Sequence, residues 1–137
     1  MADTAPLTKV VEATVPAQGT AGTTQDQVVG ESPVAGTVSS VSITPEAALT
    51  ADATNYRTFR LVNKGQDGSG TTVVASFATD TVTTDDLVAF DEKALTLSAV
   101  DGALDVAEGD VLVADETVAA AGVAHSGYRL KVEIARG

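Results

Sequence analysis

Few residues in this chain have the chemistry of a catalytic site. His125 is the single histidine, and Ser126 follows it directly. A Ser-His-acid site needs the serine hydroxyl to reach the imidazole, but neighbours on an extended strand point to opposite faces. The chain has no cysteine, so a thiolate zinc site is excluded. We therefore interpret His125 as a loop histidine and predict a protein without catalytic residues, not an enzyme.

Carboxylates are the second group that could do chemistry. They are densest at Asp85-Asp86 and at Asp91-Glu92. A calcium site takes about six to eight oxygen ligands, often from an Asp-x-Asp-x-Asp-Gly loop, and that loop is missing here. Nothing in the spacing marks a glycosidase pair either. We predict no metal site and no cofactor, and the acidic residues keep two interpretations: a solvated surface, or a face matched to a basic partner.

A glycine-rich stretch at 65–70, with the sequence GQDGSG, superficially resembles a phosphate-binding loop. It lacks the Gly-Lys-Ser/Thr ending, and no helix is predicted to follow it. Strand-like residues lie on both sides, and glycine tolerates the positive φ values that tight turns require. We predict a hairpin turn.

The charge of the chain is strongly acidic, with a formal net charge of −11. Between Asp80 and Glu116 there are eleven acidic residues and one basic residue, Lys93. Such a surface repels phosphate, so we predict no nucleic-acid partner. We predict no membrane partner, because no apolar run approaches the roughly 20 residues of a spanning helix. The first residues also lack the basic start and apolar run expected of a secretory signal.

The elements that must position these residues are predicted to be strands. Valine and threonine dominate, and branching at Cβ favours strands over helices. In the last predicted strand, 128–134, apolar and charged residues alternate with a period of two, which indicates one buried and one solvated face. Predicted strands lie at 37–44, 56–62, 71–77, 87–90, 94–97, 103–106, from 111 onward and at 128–134. Short strands at this spacing predict an all-β protein, an antiparallel β-sandwich of jelly-roll-like type.

The first 34 residues differ from the rest of the chain. They mix Thr, Ala, Gly, Gln and Pro with little periodicity, and only residues 9–15 read as a strand. We predict an extended N-terminal arm over 1–34, followed by a β-sandwich domain over 35–137. Such an arm either stays disordered or docks along a neighbouring subunit. Removal of residues 1–30 would then leave the sandwich folded.

Five short stretches after Pro33 together carry a resemblance to a known group of proteins. They are 33–38 (PVAGTV), 54–65 (TNYRTFRLVNKG), 71–77 (TTVVASF), 95–98 (LTLS) and 106–112 (VAEGDVL). In this order and spacing, the region from Pro33 to Gly137 resembles capsid decoration and head-fibre proteins of tailed bacteriophages. It departs from them before the last strand, where His125-Ser126-Gly127 stands in place of a Pro-Gly.

The resemblance implies a structural function. A member of this group is a β-sandwich, often a homotrimer, that binds the major capsid protein on the outside of the head and stabilises the shell. The expected location is therefore the exterior of the virion, after assembly in the host cytoplasm. The alternative is a soluble cell-surface or adhesion-type β-sandwich module that binds carbohydrate or protein.

Overall fold

The computed structural model describes residues 7–137, which form strands, turns and loops without a helix. Within these residues there is accordingly no helix long and apolar enough to cross a membrane. The strands are β1 (Thr8–Val15), β2 (Gln25–Glu31), β3 (Gly36–Pro45), β4 (Arg57–Asn63), β5 (Thr72–Ala78), β6 (Lys93–Ala94), β7 (Thr96–Leu97), β8 (Asp105–Val106), β9 (Val111–Val118) and β10 (Tyr128–Arg136).

The strands form two antiparallel sheets that pack face to face, which confirms the predicted β-sandwich. The first sheet has the order β1-β10-β3-β6, and β8 pairs with the other end of β3. The second sheet has the order β2-β9-β4-β5-β7. Most connections pass from one sheet to the other, and only β4 and β5 form a hairpin within one sheet.

The core lies between the inner faces of the two sheets. On β10, the alternate residues Tyr128, Leu130, Val132 and Ile134 are almost fully buried, while Arg129 between them is exposed. On β4, which belongs to the second sheet, Phe59 and Leu61 are buried in the same core. The period of two in the sequence therefore identified the inner face of both strands correctly.

The predicted hairpin of β4 and β5 is present, with one irregularity. Phe59 lies opposite Phe77, and Leu61 lies opposite Ala75. The register then shifts, since Val62 pairs with Val73, so Val74 is an extra residue in a β-bulge. Val74 and Ala75 are consequently both buried, a pairing that strict alternation does not predict.

The segment expected to be an extended arm differs from that prediction. Residues 8–15 form β1, which pairs along its whole length with β10, and residues 25–31 form β2, which pairs with β9. Val15 and Val29 belong to the buried core. The boundary predicted between residues 34 and 35 therefore does not separate these strands from the sandwich, and residues 1–6 of the expected arm lie outside the described part.

The two N-terminal strands occupy neighbouring edges of the two sheets. They approach each other so closely that a Cβ added to Gly30 would lie 2.9 Å from Cγ1 of Val11. Gly30 also has φ 154°, where residues with side chains are rarely found. Glycine at this position therefore allows β1 and β2 to close one side of the sandwich.

Two other predicted strands are wrong in their details. At 87–90, Leu87 is held to Leu49 by an isolated bridge and is buried, but the residues after it turn away as a loop. The predicted strand at 94–97 is divided between sheets, because β6 pairs with β3 and β7 pairs with β5. Both segments, 87–90 and 94–97, are apolar enough to suggest strands. They are too short for the spacing of their apolar residues to show which strand each one pairs with.

Candidate functional site

One end of the sandwich carries a marked excess of negative charge. Strand directions bring four loops together there: 16–24, 46–56, 79–92 and 119–127. We call these four loops the acidic end. They contain no lysine or arginine, and they contain the carboxylates Glu46, Asp52, Asp80, Asp85, Asp86, Asp91 and Glu92. Such a concentration of one sign of charge favours approach by a basic surface.

A buried polar cluster lies beneath the acidic end, between the two sheets. Arg57 is fully buried, and its Nη1 donates to Glu116 Oε1 at 3.1 Å. Tyr128, from the opposite sheet, donates its hydroxyl to Glu116 Oε2 at 2.8 Å. The Nε2 atom of His125 lies 2.7 Å from Glu116 Oε1. The buried carboxylate of Glu116, on β9, is thus surrounded by groups from two other strands and a loop.

Arg57 also connects three loops of the acidic end to one another. Its Nη1 donates to the carbonyl oxygen of Thr23 at 2.8 Å, and its Nε donates to that of Val123 at 2.9 Å. The amide of Thr79 donates to the Arg57 carbonyl at 3.1 Å. Loops 16–24 and 119–127 are therefore bonded to the buried side chain of Arg57, and loop 79–92 is bonded to its backbone carbonyl, which gives the acidic end a defined shape.

Tyr128 remains a hydrogen-bond donor in this cluster over the whole physiological range. Burial raises the pKa of Tyr128 strongly, and the nearby charge of Glu116 raises it further. Its ring packs edge to face with Phe59, at a centroid distance of 5.2 Å. Tyr128 therefore joins the two sheets by an aromatic contact and by a hydrogen bond to a carboxylate.

His125 was interpreted as a loop histidine, and the structure places it in the loop before β10 but with its ring buried. The ring packs against Phe59 with a centroid distance of 5.7 Å. The Ser126 hydroxyl accepts from the Ala47 amide at 3.0 Å and donates to the Gly127 carbonyl at 3.2 Å. The Ser126 hydroxyl therefore has partners other than the His125 ring, although Nδ1 of the ring contacts the Ser126 carbonyl oxygen.

The carboxylates of the two densest pairs bind different protein groups. Asp86 Oδ1 accepts from the Ala51 amide at 2.8 Å, and Asp85 Oδ2 accepts from the Thr81 amide at 3.0 Å. Glu92 Oε2 accepts from Ser42 at 2.7 Å and pairs with Lys131 at 3.1 Å, and these contacts lower the pKa of Glu92. Among residues 7–137, no three acidic or histidine side chains are grouped as a metal site would require.

The glycine-rich stretch at 65–70 forms the turn between β4 and β5, as predicted. Gly65 and Gly68 have φ values of 70° and 82°. Asn63 Oδ1 accepts from the Gly65 amide at 2.8 Å, and Asp67 Oδ1 accepts from the Ser69 amide at 3.0 Å. The turn lies at the end of the sandwich opposite the acidic end, and its side chains are used to hold the turn itself.

Sequence reasoning missed an exposed apolar surface within the acidic end. Phe90 is 78% exposed, Val82 is 58% exposed and Val88 is 57% exposed. All three lie in loop 79–92, where residues 87–90 were predicted to be a strand. The flanking runs Thr-Thr-Asp-Asp and Asp-Glu are typical of loops and were the signal that this apolar stretch is displayed and not paired.

The surface also has two grooves, one of which borders the end of this loop at Glu92. An apolar groove of about 560 Å³ runs along β5 and β7, with Val73, Leu97 and Val100 in its wall. No aromatic side chain lines it, and aromatic rings are the usual platforms for sugars. A smaller, polar groove of about 370 Å³ lies over the outer face of the first sheet, beside Ser42, Glu92 and Lys131.

The comparisons with known proteins add no relative from which function could be transferred. No protein-family model matches the chain, and no curated protein or solved structure gives a significant match. The geometry of the acidic end and the resemblance seen in the sequence are therefore the grounds on which a function is argued.

Proposed function

We propose that this protein is a structural decoration, or cement, protein that binds the outer surface of a tailed-phage head and stabilises the shell. The observation that carries the proposal is the acidic end, where exposed apolar side chains stand among carboxylates on loops fastened to a buried cluster. A surface of this kind is suited to stable binding of another protein. The ordered strand and turn pieces that resemble decoration proteins support the same function.

The loops of the acidic end are ordered before any partner binds, and this order supports the proposed role. These loops are held by buried hydrogen bonds, so little conformational entropy is lost when the acidic end binds a partner. A binding surface that is already ordered contributes more of its contact energy to affinity. The major capsid protein is the partner in this proposal, and it would present a complementary basic surface on the outside of the shell.

We also propose that the protein acts as a homotrimer. Subunits that bind a lattice together gain avidity, because after the first contact the second is effectively intramolecular. The expected result in multi-angle light scattering of the purified protein is three times the 13.8 kDa mass of the chain. A single-chain mass at micromolar concentration, together with single-copy binding to heads, would contradict the trimer.

The binding function is tested by sedimentation with phage heads that lack the protein. We expect saturable co-sedimentation at a fixed number of copies per head, and decorated heads should resist heating better than bare heads. An unrelated acidic β-sandwich of similar size is the control for non-specific charge. If the protein stays in the supernatant at all concentrations and binds a glycan array instead, the adhesion-module alternative is correct.

A further inference from the structure

We propose that loop 79–92 is the docking element, and that it inserts Phe90 into an apolar pocket bordered by lysine and arginine on the shell protein. This inference rests on the proposed function and adds the site and the chemistry of the partner. Its starting observation is the position of the aromatic residues. Phe90 is 78% exposed, whereas Phe59 and Tyr128 are buried in the core and Phe77 is half-buried.

The chain around Phe90 is fixed to the body of the protein. The Phe90 amide donates to the carbonyl oxygen of Pro45 at 2.8 Å, and the Asp91 amide donates to that of Val88 at 3.1 Å. Leu87 and Leu49 exchange two backbone hydrogen bonds of 2.9 and 3.0 Å, and Leu87 is buried. The exposed phenyl ring is therefore carried on an anchored turn, not on a loose loop.

The backbone of this turn is held in an unfavourable conformation. Phe90 has φ 62°, in the left-handed region that bulky residues rarely adopt. Glycine would occupy the position without strain, so phenylalanine here costs stability that the surrounding hydrogen bonds must offset. A contact between Phe90 and another protein would account for an exposed aromatic side chain in this unfavourable conformation.

The charge around the ring defines the kind of partner. The segment from Asp80 to Glu92 contains five carboxylates and no basic residue. Only Glu92 among them is paired with a lysine, Lys131, in the described part of the chain. A phenyl ring surrounded by unneutralised carboxylates fits an apolar pocket with a basic rim, where arginine can also stack on the ring. Anionic lipid or nucleic acid would be repelled.

The test measures binding of variants to heads that lack the protein. Phe90→Gly removes the ring and also removes the backbone strain, so we expect a fold at least as stable as the parent. We expect its affinity for heads to fall by at least about 30-fold. Val88→Ser should weaken binding to a smaller extent. The matched control is Val100→Ser, which removes an apolar side chain that is 71% exposed at the opposite end and should change affinity less than about twofold.

A second pair of variants tests the charge. Asp80→Asn combined with Asp91→Asn should slow association and reduce the salt dependence of binding. Asp101→Asn combined with Asp105→Asn changes the net charge by the same amount at the opposite end. This control should leave the association rate and the salt dependence of binding unchanged. If the parent binds heads and Phe90→Gly binds equally well, the docking element is wrong and the decoration function stands. If Phe90→Gly instead dissociates the oligomer, loop 79–92 is a contact between subunits and not the docking element. If the parent protein itself does not bind heads, both the decoration function and the docking element are wrong.

Discussion

The Tyr128 hydroxyl donates to Glu116 across the interior of the sandwich, with 2.8 Å between the two oxygen atoms. Tyr128 begins β10 in one sheet, and Glu116 lies near the end of β9 in the other. The same carboxylate accepts from the buried guanidinium of Arg57. The two sheets are thus joined at the acidic end by a charge-assisted hydrogen bond and not only by apolar packing.

Replacing the central carboxylate should destabilise the fold strongly. Glu116→Gln leaves the fully buried Arg57 without a counter-charge, and breaking a buried pair by removing one partner costs about 3–5 kcal/mol. The free energy of unfolding in urea measures the effect. The control is Glu12→Gln, whose pairing with Arg129 is largely exposed and should contribute less than about 1 kcal/mol. Equal losses in the two variants would show that the buried cluster has no special role.

The last strand should tolerate no charge on its inner face. Val132 is fully buried on β10, which lies between β1 and β3. Val132→Asp would bury an unpaired carboxylate and should cost several kcal/mol, about 4 or more, in thermal or urea unfolding. Arg129→Ala, on the exposed face of the same strand, should change stability by less than about 0.5 kcal/mol. A Val132→Asp protein that melts within a few degrees of the parent would contradict the central position of β10.

Asp26 and Asp115 form an unfavourable pair across β2 and β9. They lie directly opposite each other, and the hydrogen bond that they share, together with partial burial, raises the pKa of Asp26. A carboxyl group with a raised pKa in the folded state lowers stability above that pKa. The penalty is lost as the pH falls through the folded-state value towards the ordinary value of 3.8.

We therefore expect Asp26→Asn to stabilise the protein at pH 7, by about 0.2–1 kcal/mol, as for other like-charged cross-strand pairs. The gain should disappear below about pH 4, because the parent then carries the proton itself. Asp101→Asn, in an exposed loop, controls for the change in net charge and should give little gain. A gain that persists unchanged at pH 3 would exclude the pairing as its cause.

Removal of residues 1–31 should disrupt the sandwich, in contrast to the expectation from the sequence. The truncation deletes β1 and β2, leaves one edge of β10 and one edge of β9 unpaired, and removes the core residues Val15 and Val29. We expect loss of cooperative thermal unfolding, or aggregation through the newly exposed edges. A truncated protein with the circular dichroism spectrum and melting temperature of the parent would restore the idea of an independent arm.

The parts of the fold that the sequence predicted well are those with a local pattern. Tyr128, Leu130, Val132 and Ile134 alternate with charged residues, so the inner face of β10 follows directly from a period of two. The hairpin of β4 and β5 was predictable because its turn is rich in residues that accept positive φ. Local chemistry decides both features.

The strand predicted at residues 9–15 is present as β1, but β2 could not be identified in this way. β2 has the sequence QDQVVGE and follows a glycine- and threonine-rich stretch, so its own composition suggests a loop. It is a strand because β9, more than 80 residues later, supplies its hydrogen bonds. Such pairing depends on tertiary context, which outweighs the propensity of the segment.

The buried cluster was missed because arginine and glutamate are ordinarily surface residues. The alternation of residues along β4 and β9 contained one indication of the cluster. Arg57 is two residues before Phe59 on β4, and Glu116 is two residues after Ala114 on β9, so each lies on the apolar face of its strand. The sequence did not reveal that the two would face the same point, because that follows from the register of β4 against β9.

The position of β10 also has a consequence for synthesis of the protein. β10 follows the other nine strands in chain order, yet it lies inside the first sheet, where Thr8 is paired with Ala135. While the chain is still being translated, β1 and β3 have no strand between them. The first sheet can therefore close only after residue 136 has left the ribosome, and until then the nascent chain exposes unpaired strands that a chaperone could bind.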